Sequence, residues 1–117
     1  MRIYISGKIT GTTDYMERFA KAEEYLKEKN YSVINPAKIN VNLPKDTTYV
    51  EYMKMSITLL DMCDAIYLLD GWDRSEGATL ERKYAKTLGK GIFYETIQTL
   101  EDDWKMLKNF TDRKVVL

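Results

Sequence analysis

Apolar and polar positions fall into short blocks along this chain, and the blocks switch between a period of two and a helical period. Arg2-Ile3-Tyr4-Ile5-Ser6 is a β-type run closed by Gly7, and Tyr31-Ser32-Val33-Ile34 is a second, ended by Asn35-Pro36. Ala65, Ile66, Tyr67, Leu68 and Leu69 are continuously apolar, the pattern of a parallel strand covered on both faces. Gly89 and Gly91 bracket a turn into Ile92-Phe93-Tyr94, a fourth strand. Between these runs the period is helical. Phe19, Ala22, Tyr25 and Leu26 give a first helix its apolar face, from Asp14 to near Asn30, with Thr13 as cap and Asp14 and Glu17 at its positive end. Thr48-Tyr49-Val50-Glu51 has the form of a capping box and opens a second helix, whose stripe runs through Tyr52, Ser56, Leu59 and Cys63. Ala78, Glu81, Ala85 and Leu88 share roughly one face of a third. Thr99 with Asp102 predicts the cap of a last helix carrying Trp104, Leu107 and Phe110, and Val115-Val116-Leu117 is a fifth short strand or a tail. Ala37 to Lys45, the least regular part, is expected to be loop.

Strands alternating with helices imply an α/β domain: a flavodoxin-like, three-layer sandwich with a parallel sheet of four to five strands and helices on both faces. Right-handed crossovers make 2-1-3-4 the leading strand order. A chain of 117 residues with 44% apolar residues is sized for one domain, 1–117, with one core.

Charge and cysteine content narrow the chemistry. Eighteen basic residues balance eighteen acidic ones, so no broad field attracts a nucleic acid polymer. With no histidine, His-based triads and His-ligated zinc are excluded. The one cysteine, Cys63, has no partner for a disulfide within the chain and is expected to be an inert buried thiol, which favours a reduced, cytoplasmic setting. The start MRIYISGKI lacks the features of a signal peptide, and no apolar run has the length to span a membrane.

In the 2-1-3-4 order the topological switch point lies between strands 1 and 3, where the loops Gly7–Thr13 and Asp70–Gly77 converge. Backbone N–H groups around Gly7, Gly11 and Gly77, the hydroxyls of Thr10 and Ser75, the Lys8 ammonium and two helix starts could together hold an anion there. Neither loop is a Walker motif or a dinucleotide fingerprint. Glu81 is the anomaly, a carboxylate on the helix stripe that should face the sheet.

These residues carry a family resemblance. Arg2 to Gly11, RIYISGKITG, then a helix, an Asn-Pro at the end of the second strand, the CDAIYLLDGW strand and a G-x-x-x-E helix start resemble the nucleoside 2-deoxyribosyltransferase-like superfamily, and more closely its short, uncharacterised bacterial and phage branch. The resemblance covers strand 1 to strand 4. It implies a flavodoxin-like fold and a glutamate nucleophile that attacks C1′ of a deoxyribosyl N-glycoside. Glu81 falls on that glutamate. Tyr4 matches a first-strand tyrosine that orients it in the deoxynucleoside-monophosphate hydrolase branch, and Ser75 and Gly77 match that branch's phosphate-binding loop. Ser6, Gly7, Lys8, Ile9, Thr10 and Gly11 then form the Gly-rich wall of the substrate site, although at Lys8 that branch has other residues. The implied substrate is a nucleoside or nucleotide, with no metal or redox cofactor, and the implied assembly is a homodimer or higher homo-oligomer.

One position departs from the pattern. The superfamily usually has an aspartate about two turns before the end of the second helix, where this chain has Ser56. A serine carries no carboxylate to cycle a proton, so the paired-carboxylate logic of retaining glycosidases is incomplete. Asp70 is the first candidate to take over and Asp73 a weaker one, while Trp72 offers a ring to stack on a base. The alternative is a nucleotide-binding or protein-interaction module that has lost catalysis, and cleavage of a dinucleotide such as NAD is a third reading. Each residue also has a plain structural role open to it. Glu81 suits a helix N-terminal salt bridge, Ser75 an N-cap, Tyr4 strand packing, Asp70 and Asp73 a turn, and Tyr49 and Tyr52 packing rather than a base pocket.

Overall fold

A computed structural model describes residues 1–96 of the chain. Strands β1 (Arg2–Ser6), β2 (Ser32–Ile34), β3 (Ala65–Leu68) and β4 (Gly91–Tyr94) form one parallel sheet in the order β2-β1-β3-β4. Tyr4 pairs with Ile34 on one side and Ile66 on the other, which makes β1 central. The predicted α/β order therefore holds over four strands. The expected last helix with Trp104, Leu107 and Phe110 and the run Val115–Leu117 lie outside the described residues.

Strand alternation sorts the core into two layers. Ile3, Ile5 and Tyr67 point to one face of the sheet, where Phe19, Ala22 and Leu26 of helix α1 (Tyr15–Glu28) cover them. Tyr4, Ile66 and Leu68 point to the other, against Leu60 of α3 (Tyr49–Asp61), Cys63, and Ala85 of α4 (Glu76–Thr87). Each fully buried Ile, Leu or Phe contributes about 1.5–3 kcal/mol, so the two layers carry most of the stability. Burial pushes the Cys63 thiol up to about 11 and its Sγ bonds to the Leu59 carbonyl.

Helix boundaries follow local chemistry, with three corrections to the sequence expectations. The capping box forms as predicted, with the Thr48 N–H donating to Glu51 Oε1 at 2.9 Å and the Glu51 N–H to Thr48 Oγ1 at 3.2 Å. Thr13, however, is not the cap of α1. A turn closed by the Thr12 N–H and hydroxyl on the Ile9 carbonyl delays the helix, so Asp14 takes the cap position without a side-chain capping bond. Leu88 is 49% exposed rather than on the buried stripe, because α4 ends at Thr87 and Leu88 belongs to its cap.

The third correction concerns the segment expected to be loop. Residues Pro36–Asn40 form a short helix, α2. Asn35 starts it, its side-chain oxygen accepting the Ala37 N–H at 3.0 Å, and Pro36 supplies a preset φ at the first helical position. The other end of the Asn35 amide donates to Glu23 Oε1 at 3.0 Å. Glu23 is a buried carboxylate on the apolar face of α1, bonded by Lys27 at 2.5 Å and by Lys38 of α2 at 3.0 Å. Burial alone would raise its pKa. The hydrogen bonds from Lys27, Asn35 and Lys38 outweigh burial and bring it from 4.5 down to about 2. Glu23 thus clamps α2 onto α1.

Candidate active site

The alternation that sorts the core also builds the site. Tyr4 and Ser6 are two residues apart on β1 and so project to the same face, the one that α4 covers. Glu81, one turn into α4, is only 6% exposed and points down at them. The Tyr4 hydroxyl donates to Glu81 Oε2, and Ser6 Oγ donates to Oε1 at 2.7 Å. Ser56 of α3 is a polar neighbour of the Tyr4 hydroxyl and lowers its pKa against the larger effect of burial. Both oxygens of the carboxylate are thereby held by fixed donors, and among the described residues no cation pairs with it.

Electrostatics follow from that burial. Loss of water raises the Glu81 carboxyl above its ordinary 4.5, and the bonds from Tyr4 and Ser6 pull it back only in part. Burial, then the neighbouring Glu81 charge, hold Tyr4 well above 10, so it stays a proton donor to Glu81. A carboxylate kept in a dry setting and oriented by two hydroxyls can act chemically as a nucleophile or a base, and its environment is not that of a surface ion pair.

Glu81 forms part of the wall of a cavity of about 740 Å³ at the carboxyl ends of the strands. That volume suits a nucleoside-sized ligand, small-molecule sites spanning roughly 300–1,000 Å³. Of the residues singled out in the sequence, Tyr4, Ser6, Gly7, Lys8, Ile9 and Thr10 line it from β1 and its loop. Ser56 lines it from α3, and Ser75, Gly77 and Glu81 from the start of α4. Gly7 has a structural reason to be glycine, since a Cβ there would stand 3.0 Å from Leu69. Ser75 is the N-cap of α4, its Oγ accepting the Ala78 N–H at 3.1 Å, so the plain capping role is real and shares the cavity wall.

Gly11, Asp70 and Trp72 are not brought to the cavity. Gly71, at φ 86°, turns the chain into a 3-10 turn, Trp72–Arg74, that carries its neighbours toward β4. Asp70 is exposed there, its Oδ1 accepting from the Thr96 hydroxyl and its N–H donating to Glu95 at 2.9 Å. Its carbonyl accepts from Arg18 at 2.6 Å, tying this turn to α1. Trp72 packs on Tyr94 with ring centres 5.8 Å apart, and the Arg82 guanidinium lies 5.1 Å over the Trp72 ring. Asp73 is exposed and also off the wall. Neither aspartate offered in place of the missing one therefore reaches Glu81's cavity.

The wall includes residues that the sequence reading passed over: Tyr15 of α1, Asn40 and Val41 at the end of α2, Arg74 and Glu76. Arg74 had a visible signal, a cation one residue before the cap of the predicted anion loop. Asn40 and Val41 had none until α2 was seen to be a helix. Tyr49 and Tyr52 line the cavity from the first turn of α3. Tyr49 is 50% exposed, and its hydroxyl lies 3.8 Å from where a Gly77 Cβ would stand.

A family model matches residues 1–94, which is most of the chain and every residue of this cavity. The chain belongs to that family, described as Domain of unknown function (DUF4406). The match ends at Tyr94, the last residue of β4, and so spans this chain's four-stranded sheet, its helices and its cavity. A search of curated proteins returns no match. Among the described residues no helix is long and apolar enough to cross a membrane.

Proposed function

We propose that this protein cleaves the N-glycosidic bond of a nucleoside or its 5′-monophosphate through Glu81. The observation that carries the reading is the buried Glu81 carboxylate held by Tyr4 and Ser6 at the wall of a nucleoside-sized cavity. The resemblance to nucleoside 2-deoxyribosyltransferase-like enzymes supports it, because Glu81 falls on their nucleophile. A Glu81 oxygen attacks C1′, the C1′–N bond breaks, and the base leaves with the bonding pair and takes a proton from water. In the second step water, or an acceptor base, attacks C1′ and frees the carboxylate. Tyr4 and Ser6 keep the attacking oxygens aimed, and the tyrosine rings of α1 and α3 offer faces to the base.

The reading is tested by incubating the purified chain with a panel of nucleosides, their 5′-monophosphates and NAD, with and without an acceptor base, and measuring free base by chromatography. Base release dependent on an acceptor makes it a transferase, and release in water alone a hydrolase. Nicotinamide as the sole base released would move the activity to dinucleotides.

Ser56 favours a second reading, a module that binds a nucleotide without turning it over, because among the described residues the wall near Glu81 holds no other buried carboxylate. Ser56→Asp separates the two. It puts a carboxylate against Tyr4 and is expected to raise base release about tenfold or more, since a positioned acid–base group typically contributes 10²–10⁴-fold. A Ser56→Asp chain that binds nucleotide but stays inert argues for the binding module.

A further inference from the structure

We infer that Glu76 makes the cavity select the uncharged nucleoside over its 5′-monophosphate. This narrows the substrate class of the reading above and rests on it. Four charged side chains line the cavity among the described residues, Lys8, Arg74, Glu76 and Glu81. They cancel, so the wall carries no net positive charge to receive a dianion. Their placement matters more than their sum. The backbone donors best placed for a phosphate are those of the first turn of α4, and Glu76 is the first residue of that turn. Its carboxylate is exposed, with no ion-pair partner among the described residues. It already complements the positive end of the helix. One donor of the turn is also spent, the Ala78 N–H being taken by Ser75 Oγ. Glu81 stands about 7.5 Å further along the same helix axis, at 1.5 Å per residue. A phosphate seated on this turn would meet one carboxylate at its side and another behind it.

The cations do not reverse this. The Arg74 guanidinium is packed over the turn at Gly71, its Nη2 3.1 Å from where a Gly71 Cβ would stand, and Lys8 belongs to the loop after β1, not to the turn that opens α4. A neutral 5′-hydroxyl fits the turn instead. It can donate to Glu76 and accept from the Tyr49 hydroxyl, which stands over Gly77. Loss of water, then the fields of Glu76 and Glu81, raise the Tyr49 pKa, so the phenol is protonated and able to donate.

The test compares kcat/KM for 2′-deoxynucleosides and for their 5′-monophosphates, in the wild-type chain and in Glu76→Gln. Circular dichroism confirms that the variant is folded. The wild type is expected to favour the nucleoside by about tenfold or more, the factor equivalent to about 1.4 kcal/mol of repulsion. Glu76→Gln is expected to narrow that ratio about tenfold, mostly through the KM of the monophosphate. Added salt should narrow the wild-type ratio and should not narrow that of the variant, whose remaining wall charges, Lys8, Arg74 and Glu81, sum to a positive one. A wild type that favours the monophosphate, with Lys8 and Arg74 holding the phosphate, overturns the inference, and so does a ratio that Glu76→Gln does not change. If no base is released from either substrate, the catalytic reading fails. The same ratio is then read as Kd by calorimetry. Tighter binding of the nucleoside, weakened selectivity in Glu76→Gln, still upholds the role of Glu76, and binding of neither ligand overturns it as well.

Discussion

A Glu81→Gln chain is expected to lose base release by about a thousandfold or more while melting at a higher temperature than the wild type at pH 8. The two effects share one cause. Among the described residues Glu81 is the carboxylate that Tyr4 and Ser6 bond, and a glutamine of the same shape cannot attack C1′. In the folded chain, burial raises the Glu81 carboxyl above 4.5 despite its two hydrogen bonds. A group whose folded value is raised stabilises the fold fully below its unfolded value and loses that contribution as pH rises through the folded value. Wild-type stability should therefore fall between pH 4 and pH 8 relative to Glu81→Gln, whose amide does not titrate. Thermal melts at the two pH values, beside the chromatographic assay, check both halves. Normal turnover in the variant rejects the glutamate mechanism. A melting difference that is the same at pH 4 and pH 8 rejects the account of Glu81 as a buried, strained carboxylate.

Glu23→Gln is expected to have the opposite effect on stability, a loss of about 2 kcal/mol at pH 7. Three donors hold the Glu23 carboxylate and bring it to about 2 in the folded chain, from 4.5. That difference corresponds to about 3 kcal/mol at 1.36 kcal/mol per unit. Lys27 and Lys38 are more than half exposed, so screening reduces it to about 2. The melting temperature should fall by roughly 10 °C in a domain of this size. Because the folded value is depressed, the contribution is present above 4.5 and is lost as pH falls through about 2. The gap between wild type and Glu23→Gln should accordingly close between pH 4.5 and pH 2, as followed by chemical denaturation at each pH. Glu17→Gln is the control. Its partner Lys21 is 3.2 Å away, but both side chains are about 70% exposed, so its removal should change nothing measurable. Loss of the Glu23 clamp also frees α2, which carries Asn40 and Val41 of the cavity wall, so ligand affinity should weaken with stability.

Elements whose pattern is dense and local are legible from the residues alone. The apolar run Ala65–Leu69 is buried throughout, as a strand covered on both faces must be. The Thr48–Glu51 box names its own helix start because both of its bonds lie within four residues. Period two on β1 and the helical period on α4 sent Tyr4, Ser6 and Glu81 inward, and the strand order followed from the handedness of the crossovers. The remaining features depend on contacts between segments far apart in the chain. The meeting of Ser6 with Glu81 spans 75 positions and requires the register of β1 under α4. Glu23 carries no signal in the sequence, because its partners Asn35 and Lys38 cap and belong to a helix too short to show a period. Asp70 and Trp72 sit in the right loop of the sequence but outside the cavity, since one positive φ at Gly71 swings them toward β4. A pattern of side-chain types specifies which face of an element is buried; which residues of a loop face a cavity is set by backbone torsions and by packing against distant segments, and no local period carries that information.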